Sequence, residues 1–335
     1  MYRVKMCLIT VLVGILAFYF TGMLQNEVER FPDKSKTGIL LSYSTELPIS
    51  FAVLGDIHCN TYKFERALKD LHNINPAEDA LVLNGDTVDQ GLDKQYSRFL
   101  ASIDKNKALL PAMLIINIGN HEYFDYSKGL NSPSMIDGYI SKYLTFSSNK
   151  KVYHDTWLKG YHFISLGSEQ CNTRELGNTQ AFISEAQQIW LKEKLAENYK
   201  PGRPIFVFLH QNLSGNTKEE DLKKTNVRQD HKIKAILSKY PEAVIFTSHT
   251  HNFLTGDNML YIKEPFAAIH TGSVNNPLIQ DVNGKKFDPD KSQGLYVEAE
   301  KGKITVRGRN FDSSTWVQGA TYSKNFNVRH KSPSS

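Results

Sequence analysis

Short, nearly unbroken apolar runs alternate along this chain with stretches that are apolar on one face only. The runs 49–54, 80–83 and 113–118 are continuous enough to predict strands buried on both faces. Between them, Phe64, Leu68 and Leu71 recur at i, i+4 and i+7, and Tyr96, Phe99, Leu100 and Ile103 share one face. Each gap therefore predicts an amphipathic helix. The same alternation returns at 161–166, 204–209 and 243–247, with helices marked by Phe182, Ala186, Ile189 and Trp190 and by Ile233, Ile236, Leu237 and Tyr240. Two late runs, 294–299 and 304–307, flank Glu300-Lys301-Gly302-Lys303 and predict a hairpin with glycine in its turn. Strand–helix repetition of this kind predicts an α/β sheet with crossover helices. The polar segment 313–335 reads as a flexible tail, which sets the domain at 49–312.

The first residues follow a different pattern. Arg3 and Lys5 precede an apolar stretch at 6–24, broken only by Thr10, Gly14, Thr21 and Gly22. Nineteen helical residues rise about 28 Å, close to the thickness of a bilayer core. No small-x-small cleavage site follows, so residues 1–24 are expected to be a signal anchor, with a cleaved signal peptide as the alternative. Positive charge before the stretch, with Glu27 and Glu29 after it, puts the remainder outside the cytoplasm in either case. The expectation is thus a single-pass cell-membrane protein or a secreted one, its polar residues 25–48 forming a stalk.

Composition narrows the class only mildly. Of 335 residues, 40% are hydrophobic and 22% charged, which describes a globular protein. The formal charge of +5 comes from interspersed residues, with no basic block, so no nucleic-acid partner is expected. Cys7, Cys59 and Cys171 are too few and too scattered for a disulfide framework; a Cys59–Cys171 bridge stays open.

Candidate chemistry sits where the strands end. Asp56 and His58 follow the first run, Asp86 the second, Asn120 and His121 the third, His210 the fourth, and His249 and His251 the fifth. In open α/β sheets ligands gather at carboxyl strand ends, so these groups can converge. Carboxylate, imidazole and amide oxygen together suit zinc, manganese or iron(II). A pair of ions needs a bridging carboxylate, and Asp86 is the natural one. Of the eleven histidines, His72, His154, His162, His231 and His330 read as ordinary surface or core residues. His270 reads as a structural support or a partner of a ligand.

Asp-Ile-His at 56–58, Gly-Asp-Thr-Val-Asp at 85–89, Gly-Asn-His-Glu at 119–122, His210 and His-Thr-His at 249–251 resemble, in order, the five motifs of the calcineurin-like metallophosphoesterase superfamily. One departure is Ser248, where that family usually has glycine; a small change in the local turn is expected. The resemblance implies two facing β-sheets flanked by helices, an αββα sandwich. It implies one divalent metal held by Asp56, His58, Asp86 and His251, and another held by Asp86, Asn120, His210 and His249. The paired ions would lower the pKa of a bridging water enough for hydroxide to attack phosphorus. It further implies His121 as the general acid, with Asp89 and Glu122 orienting imidazoles.

The resemblance leaves the substrate open among phosphorylated small molecules, lipid head groups and nucleotides, with phosphodiesters favoured over monoesters. The choosing walls are expected in the loops 123–150 and 167–180, where Tyr123, Tyr126, Glu169 and Arg174 are candidates. Serine/threonine phosphatases carry arginine where Gln90 stands and lack the His-x-His pair. Purple acid phosphatases use a tyrosine ligand where this chain has Thr87 and Val88. The His-x-His pair and the Gly272-Ser273 step after His270 are closer to the branch holding cyclic-nucleotide phosphodiesterases, purple acid phosphatases and related enzymes. A non-catalytic metal- or phosphate-binding module of the same fold is the rival from another class.

Overall fold

The unbroken apolar runs become strands of two six-stranded sheets in the computed structural model, which describes residues 46–214, 227–281 and 284–326. In chain order the strands are β1 (Ile49–Leu54), β2 (Ala80–Asn84), β3 (Met113–Asn117), β4 (His154–Leu158), β5 (Tyr161–Ser165), β6 (Ile205–Phe208) and β7 (Ala243–Thr247). They continue as β8 (Leu260–Ile262), β9 (Ala267–His270), β10 (Leu278–Asp281), β11 (Gly284–Phe287), β12 (Gln293–Glu300), β13 (Lys303–Asn310) and β14 (Thr315–Asn325). The helices are α1 (Thr61–Ile74), α2 (Asp93–Lys105), α3 (Pro133–Ser147), α4 (Glu185–Ala196) and α5 (Asp230–Leu237).

One sheet runs β14-β13-β12-β1-β2-β3, the other β4-β5-β6-β7-β9-β8, and β10–β11 is a separate hairpin. The strands that carry candidate ligands are parallel neighbours: β1 with β2 and β3 in the first sheet, β6 with β7 in the second. Parallel pairing sends all their carboxyl ends the same way within each sheet. Phe51 of β1 marks the layer between the sheets, its ring 4.8–6.3 Å from those of Phe163, Phe206, Phe208 and Phe246. Val53, Val82, Leu295, Val297 and Val306 fill the same layer, which explains why these strands read as continuous apolar runs.

The outer faces carry the helices. Phe64, Leu68 and Leu71 of α1 and Phe99 and Ile103 of α2 pack on the first sheet; Leu191 and Leu195 of α4 and Ile233 and Leu237 of α5 pack on the second. Side-chain caps fix three helix starts: Asn60 accepts from the Lys63 amide, Ser132 from Met135 and Ser184 from Gln187. Asp70 of α1 grips Arg309 of β13 through two hydrogen bonds of 2.7 and 2.8 Å, a buried bidentate pair tying helix to sheet. This is the expected sandwich of two sheets flanked by helices. The predicted hairpin is β12–β13, with Lys301 and Gly302 both at positive φ in its turn.

One expectation is corrected. Within the segment 313–335, read as a flexible tail, Thr315–Asn325 is the edge strand β14, paired along β13 from Asn310↔Thr315 to Lys303↔Asn325. The stretch 6–24, expected to span a membrane, and residues 25–45 of the expected stalk lie outside the described residues, and no helix among those described is long and apolar enough to cross a membrane. Cys59 and Cys171 are buried and free, so they do not form a bridge.

Candidate metal centre

Each candidate ligand sits two to four residues past a strand, in a turn that bends sharply. Asp56, His58, Asp86, His249 and His251 all have φ between 49° and 69°. L-residues rarely adopt this left-handed backbone, and its concentration here marks stored strain at a functional site. Close approach between the loops also constrains the residues beside the ligands. A Cβ on Gly119 would lie 2.2 Å from Asp86 Oδ1, and one on Gly55 would lie 2.3 Å from Ser248 Oγ. Both glycines are therefore required by space.

The loops bring the seven expected ligands together. His210 Nε2 lies 3.1 Å from Asp86 Oδ2, 3.2 Å from Asn120 Oδ1 and 3.8 Å from Asp56 Oδ1. His251 Nε2 lies 3.4 Å from Asp56 Oδ1 and 3.0 Å from His58 Nε2. Donor atoms of Asp56, His58 and His251 fall within 4.8 Å of one another, as do those of Asp86, His210 and His249. These two clusters are cores of the two expected ligand sets. Asn120 adds its amide oxygen, while its Nδ2 donates to the Asn178 carbonyl at 3.2 Å, so the loop 167–180 orients that ligand.

Three observations show that these residues fit divalent ions. The Asp56 Oδ1 atom is buried without any hydrogen-bond partner, although such a carboxylate oxygen needs a counter-charge. His251 Nδ1 donates to the Asn276 carbonyl at 3.1 Å, and His58 Nδ1 faces Asp89 at 3.6 Å. The Nε2 atoms of the two rings meet at 3.0 Å, close enough to share a cation or a proton. His210 Nδ1 likewise donates to the Asn84 carbonyl at 2.8 Å, leaving Nε2 for coordination.

Electrostatics divide the expected ligands: burial lowers the His210 imidazole, but Asp86 and Asp56 outweigh this and raise it to about 9. Burial works to raise the Asp86 carboxyl, but the imidazoles of His210, His121 and His58 hold it well below its ordinary value. Burial pushes the His249 imidazole down to about 3, with the nearby His210 charge adding to the effect. A neutral imidazole is the form that ligates.

His121 stands beside the ligands. Its Nδ1 contacts the Asp89 carbonyl at 2.9 Å and the Asp89 carboxylate at 3.5 Å, while Nε2 faces Asp86 Oδ2 at 3.9 Å. His58, Asp86 and His121 also form a close donor cluster, so geometry leaves His121 available as ligand or acid. Burial lowers its pKa, but Asp86 and Asp89 outweigh this and raise it to about 9.

The other expected site residues divide. Asp89 lies against two imidazoles: its carbonyl is 2.9 Å from His121 Nδ1 and its carboxylate 3.6 Å from His58 Nδ1. Glu122 does not: its buried carboxylate accepts the backbone N–H groups of Asp86, Thr87, Val88 and Gly119 at 2.7–3.4 Å, locking two ligand loops together. His270 is a support, its Nδ1 accepting from the Gly272 amide and its Nε2 bonded to Thr250, the residue between His249 and His251. Tyr123 is no substrate wall, because it is fully buried and its hydroxyl donates to Ser168 O at 2.6 Å. Glu169 is also engaged, accepting from the Ser184 amide and hydroxyl at the start of α4. Arg174 is exposed and has no described contact with a ligand residue.

Ser248 does more than adjust its turn. Its hydroxyl is 2.9 Å from Asn84 Nδ2 and 2.8 Å from Thr271 Oγ1, so it stitches the two sheets beside the centre. Asn84 itself escaped sequence reasoning. It also donates to the Leu209 and Phe246 carbonyls across the sheets. Its signal was a polar residue closing an otherwise apolar buried strand.

A fourth cluster of possible donors, Asp155, His162 and Glu197, lies elsewhere. There Lys194 Nζ sits 3.2 Å from Asp155 and 2.8 Å from Glu197, an ion pair that already neutralises the carboxylates. A cleft lined by Ser50, Asp79, Lys159, Glu298 and Lys301 contains none of the candidate ligands.

Comparison with known proteins agrees with this geometry. The sequence model of the calcineurin-like phosphoesterase family matches residues 49–253. No curated protein matches the chain. A dimetal phosphatase from Danio rerio superposes over 83% of this chain and 99% of its own, at 11% identity and a TM-score of 0.58. The purple acid phosphatase PPD1 from yellow lupin seeds superposes over 84% of this chain and 54% of its own, at 11% identity and 0.56. GAP50 of Plasmodium, described as the anchor in the inner membrane complex, does so over 85% and 90%, at 11% and 0.51. At these identities the structural likeness is one of fold, whereas the family match spans all five motifs. This chain belongs to the calcineurin-like phosphoesterase family and is a metallophosphoesterase.

Proposed function

We propose that the chain hydrolyses phosphoric esters, diesters in preference to monoesters, at a two-metal centre with His121 as general acid. Asp56, His58, Asp86 and His251 would hold one divalent ion; Asp86, Asn120, His210 and His249 would hold the other. When bound, such ions acidify a water toward neutral pH and neutralise phosphoryl charge. The protein's own contribution is positioning. Asp89 holds the Nδ1 edge of His121, so that Nε2 faces the Asp86 carboxylate and can carry a proton to the departing oxygen. The carrying observation is this convergence of seven ligand groups with one imidazole tethered beside them.

Two features support the diester preference. The His249-x-His251 pair resembles that of the branch holding cyclic-nucleotide phosphodiesterases together with purple acid phosphatases. In addition, Gln90 stands where serine/threonine phosphatases place arginine, and its amide oxygen accepts from the Tyr126 backbone at 2.8 Å. A neutral, engaged side chain there provides no guanidinium fork for a dianionic monoester, while a diester carries one charge less.

His121→Ala tests the acid. The variant should keep both metals by elemental analysis, yet lose roughly two to four orders of magnitude with poor leaving groups. Esters of p-nitrophenol, whose leaving group needs little protonation, should suffer far less. Loss of metal would make His121 a ligand, and equal losses on both substrates would remove the acid role. A wild-type chain that binds manganese but turns over neither p-nitrophenyl mono- nor diesters would instead be a binding module.

The proposal places this activity outside the cytoplasm, supported by the apolar stretch 6–24 between Arg3 and Lys5 and Glu27 and Glu29. Protease added to intact cells should then cleave the domain, or the domain should appear in the medium. A full-length chain soluble in the cytoplasm would overturn the placement.

A further inference from the structure

A carboxylate can steer an imidazole only while its own rotamer is held. Asp89 has little burial to hold it, because its side chain is 37% exposed. It stands between two rings, with Oδ1 3.5 Å from His121 Nδ1 and 3.6 Å from His58 Nδ1. Those rings meet edge to face at 4.4 Å, one a candidate ligand and the other the proposed acid. The Tyr126 hydroxyl donates to the same Oδ1 at 3.0 Å and lies 3.3 Å from His121 Nδ1. Hydrogen bonds to an ionised acceptor are the strong ones, so this contact clamps the carboxylate. The Asp89 carbonyl, 2.9 Å from His121 Nδ1, can only accept, which puts a proton on Nδ1 inside the clamp.

Tyr126 is 61% exposed, so packing does not fix its ring; the loop backbone does. Its amide donates to Gln90 Oε1 at 2.8 Å, and the Gly91 amide donates to the Phe124 carbonyl at 2.9 Å. Gln95 Oε1 accepts the amides of Asp89 and Gln90 at 2.8 and 3.0 Å. The segments 89–91 and 121–126 are thus joined by backbone and side chain around the Asp89 carboxylate. Phe124 lays its ring 4.5 Å from that of His121 and limits its rotation from another side.

We propose that Tyr126 is a positioning residue for the general acid: its hydroxyl holds the Asp89 carboxylate against His121, so that Nε2 stays aimed at the departing oxygen. The inference rests on His121 acting as the acid, and its test separates the two. Manganese-loaded full-length chain would be assayed on methyl phenyl phosphate and methyl p-nitrophenyl phosphate, which differ in how much the leaving group needs a proton. Tyr126→Phe should keep both metals by elemental analysis and leave KM unchanged. Its kcat on the phenyl ester should fall by about ten- to a hundredfold, the usual loss when a group orienting an active-site imidazole is removed. On the p-nitrophenyl ester it should fall no more than a few-fold. In the His121→Ala background the substitution should cost nothing further, because its effect passes through that ring.

A readout independent of turnover is the Nδ1 proton of His121, seen by magnetic resonance in zinc-loaded chain carrying nitrogen-15 histidine and assigned by its loss in His121→Ala. That proton should exchange with water at least about tenfold faster in Tyr126→Phe, as the loss of a charge-assisted hydrogen bond implies. An unchanged exchange rate would overturn the proposal whatever the kinetics show. Equal losses on both esters, a change carried by KM, or a full effect in the absence of His121 would make Tyr126 a substrate contact and overturn it too. A silent Tyr126→Phe beside a clear leaving-group contrast in His121→Ala would overturn it while the acid stood. No contrast in His121→Ala would sink the acid reading. Faster exchange in a chain that hydrolyses no ester would sink the hydrolase reading and leave the clamp on the ring standing.

Discussion

Asp86 meets both halves of the centre: Oδ2 lies 3.1 Å from His210 Nε2 and 3.9 Å from the Nε2 atoms of His58 and His121, while Oδ1 accepts the His121 amide. A carboxylate in this position would be shared by the two proposed ions, so its removal should weaken both. Asp86→Ala should lose most bound metal and most activity together, measured by elemental analysis on protein whose fold is checked by circular dichroism. Two ions per chain in that variant would dismiss the bridge. This role was legible because an acidic residue directly after a buried strand has few structural uses. Glu122 was misread for a related reason. Its place beside Asn120 and His121 suggested an imidazole partner, but four backbone amides from two loops claim the carboxylate, and long-range loop contacts leave no trace in local sequence. Tyr123 shows the same limit: a tyrosine in a polar loop looked like a wall until Ser168, 45 residues away, took its hydroxyl.

Elements were legible in proportion to how much of them is buried. β1, β2, β5, β6 and β7 are almost wholly buried and β3 is buried over its last three residues, and each appeared as an apolar run. The edge strand β4, with the sequence His-Asp-Thr-Trp-Leu, has one buried residue in five and gave no signal. The hairpin β10–β11 presents Lys285, Lys286 and Phe287 to solvent, so its register comes from pairing with Leu278–Asp281 and not from hydrophobic alternation. This hairpin carries Phe287 to the ligand His251, so part of the candidate site rests on an element without a periodic pattern. The five ligand turns were predicted by position alone. Their positive φ angles could not be read from Asp and His, which adopt that conformation uncommonly.

At the scale of the molecule, the sandwich is completed by a strand that resembled a tail. β14 buries Val317, Ala320 and Tyr322 in the layer between the sheets while the rest of its length stays largely exposed. The spacing from Val317 to Ala320 is three, not two, because the register with β13 shifts between Arg307 and Arg309 and Gly319 turns at φ 76°. Strict alternation was therefore lost, and with it the sequence signal. Arg307 lies 3.9 Å above the Trp316 ring, and Lys324 pairs with Glu264 at 3.0 Å, so the strand is also fastened at its surface. A chain ending at Asp312 would expose these core positions and leave β13 as a new unpaired edge. Losing the burial of a valine, an alanine and a tyrosine should cost on the order of 4–6 kcal/mol. A domain of ordinary stability has about 5–15 kcal/mol to lose. At 2–4 °C per kcal/mol, the melting temperature should fall by roughly 10–20 °C relative to a chain ending at Phe326, with increased aggregation. Calorimetry on the two truncations decides the matter. Equal melting temperatures would mean that β14 is a dispensable flap and that the domain is complete at Asp312.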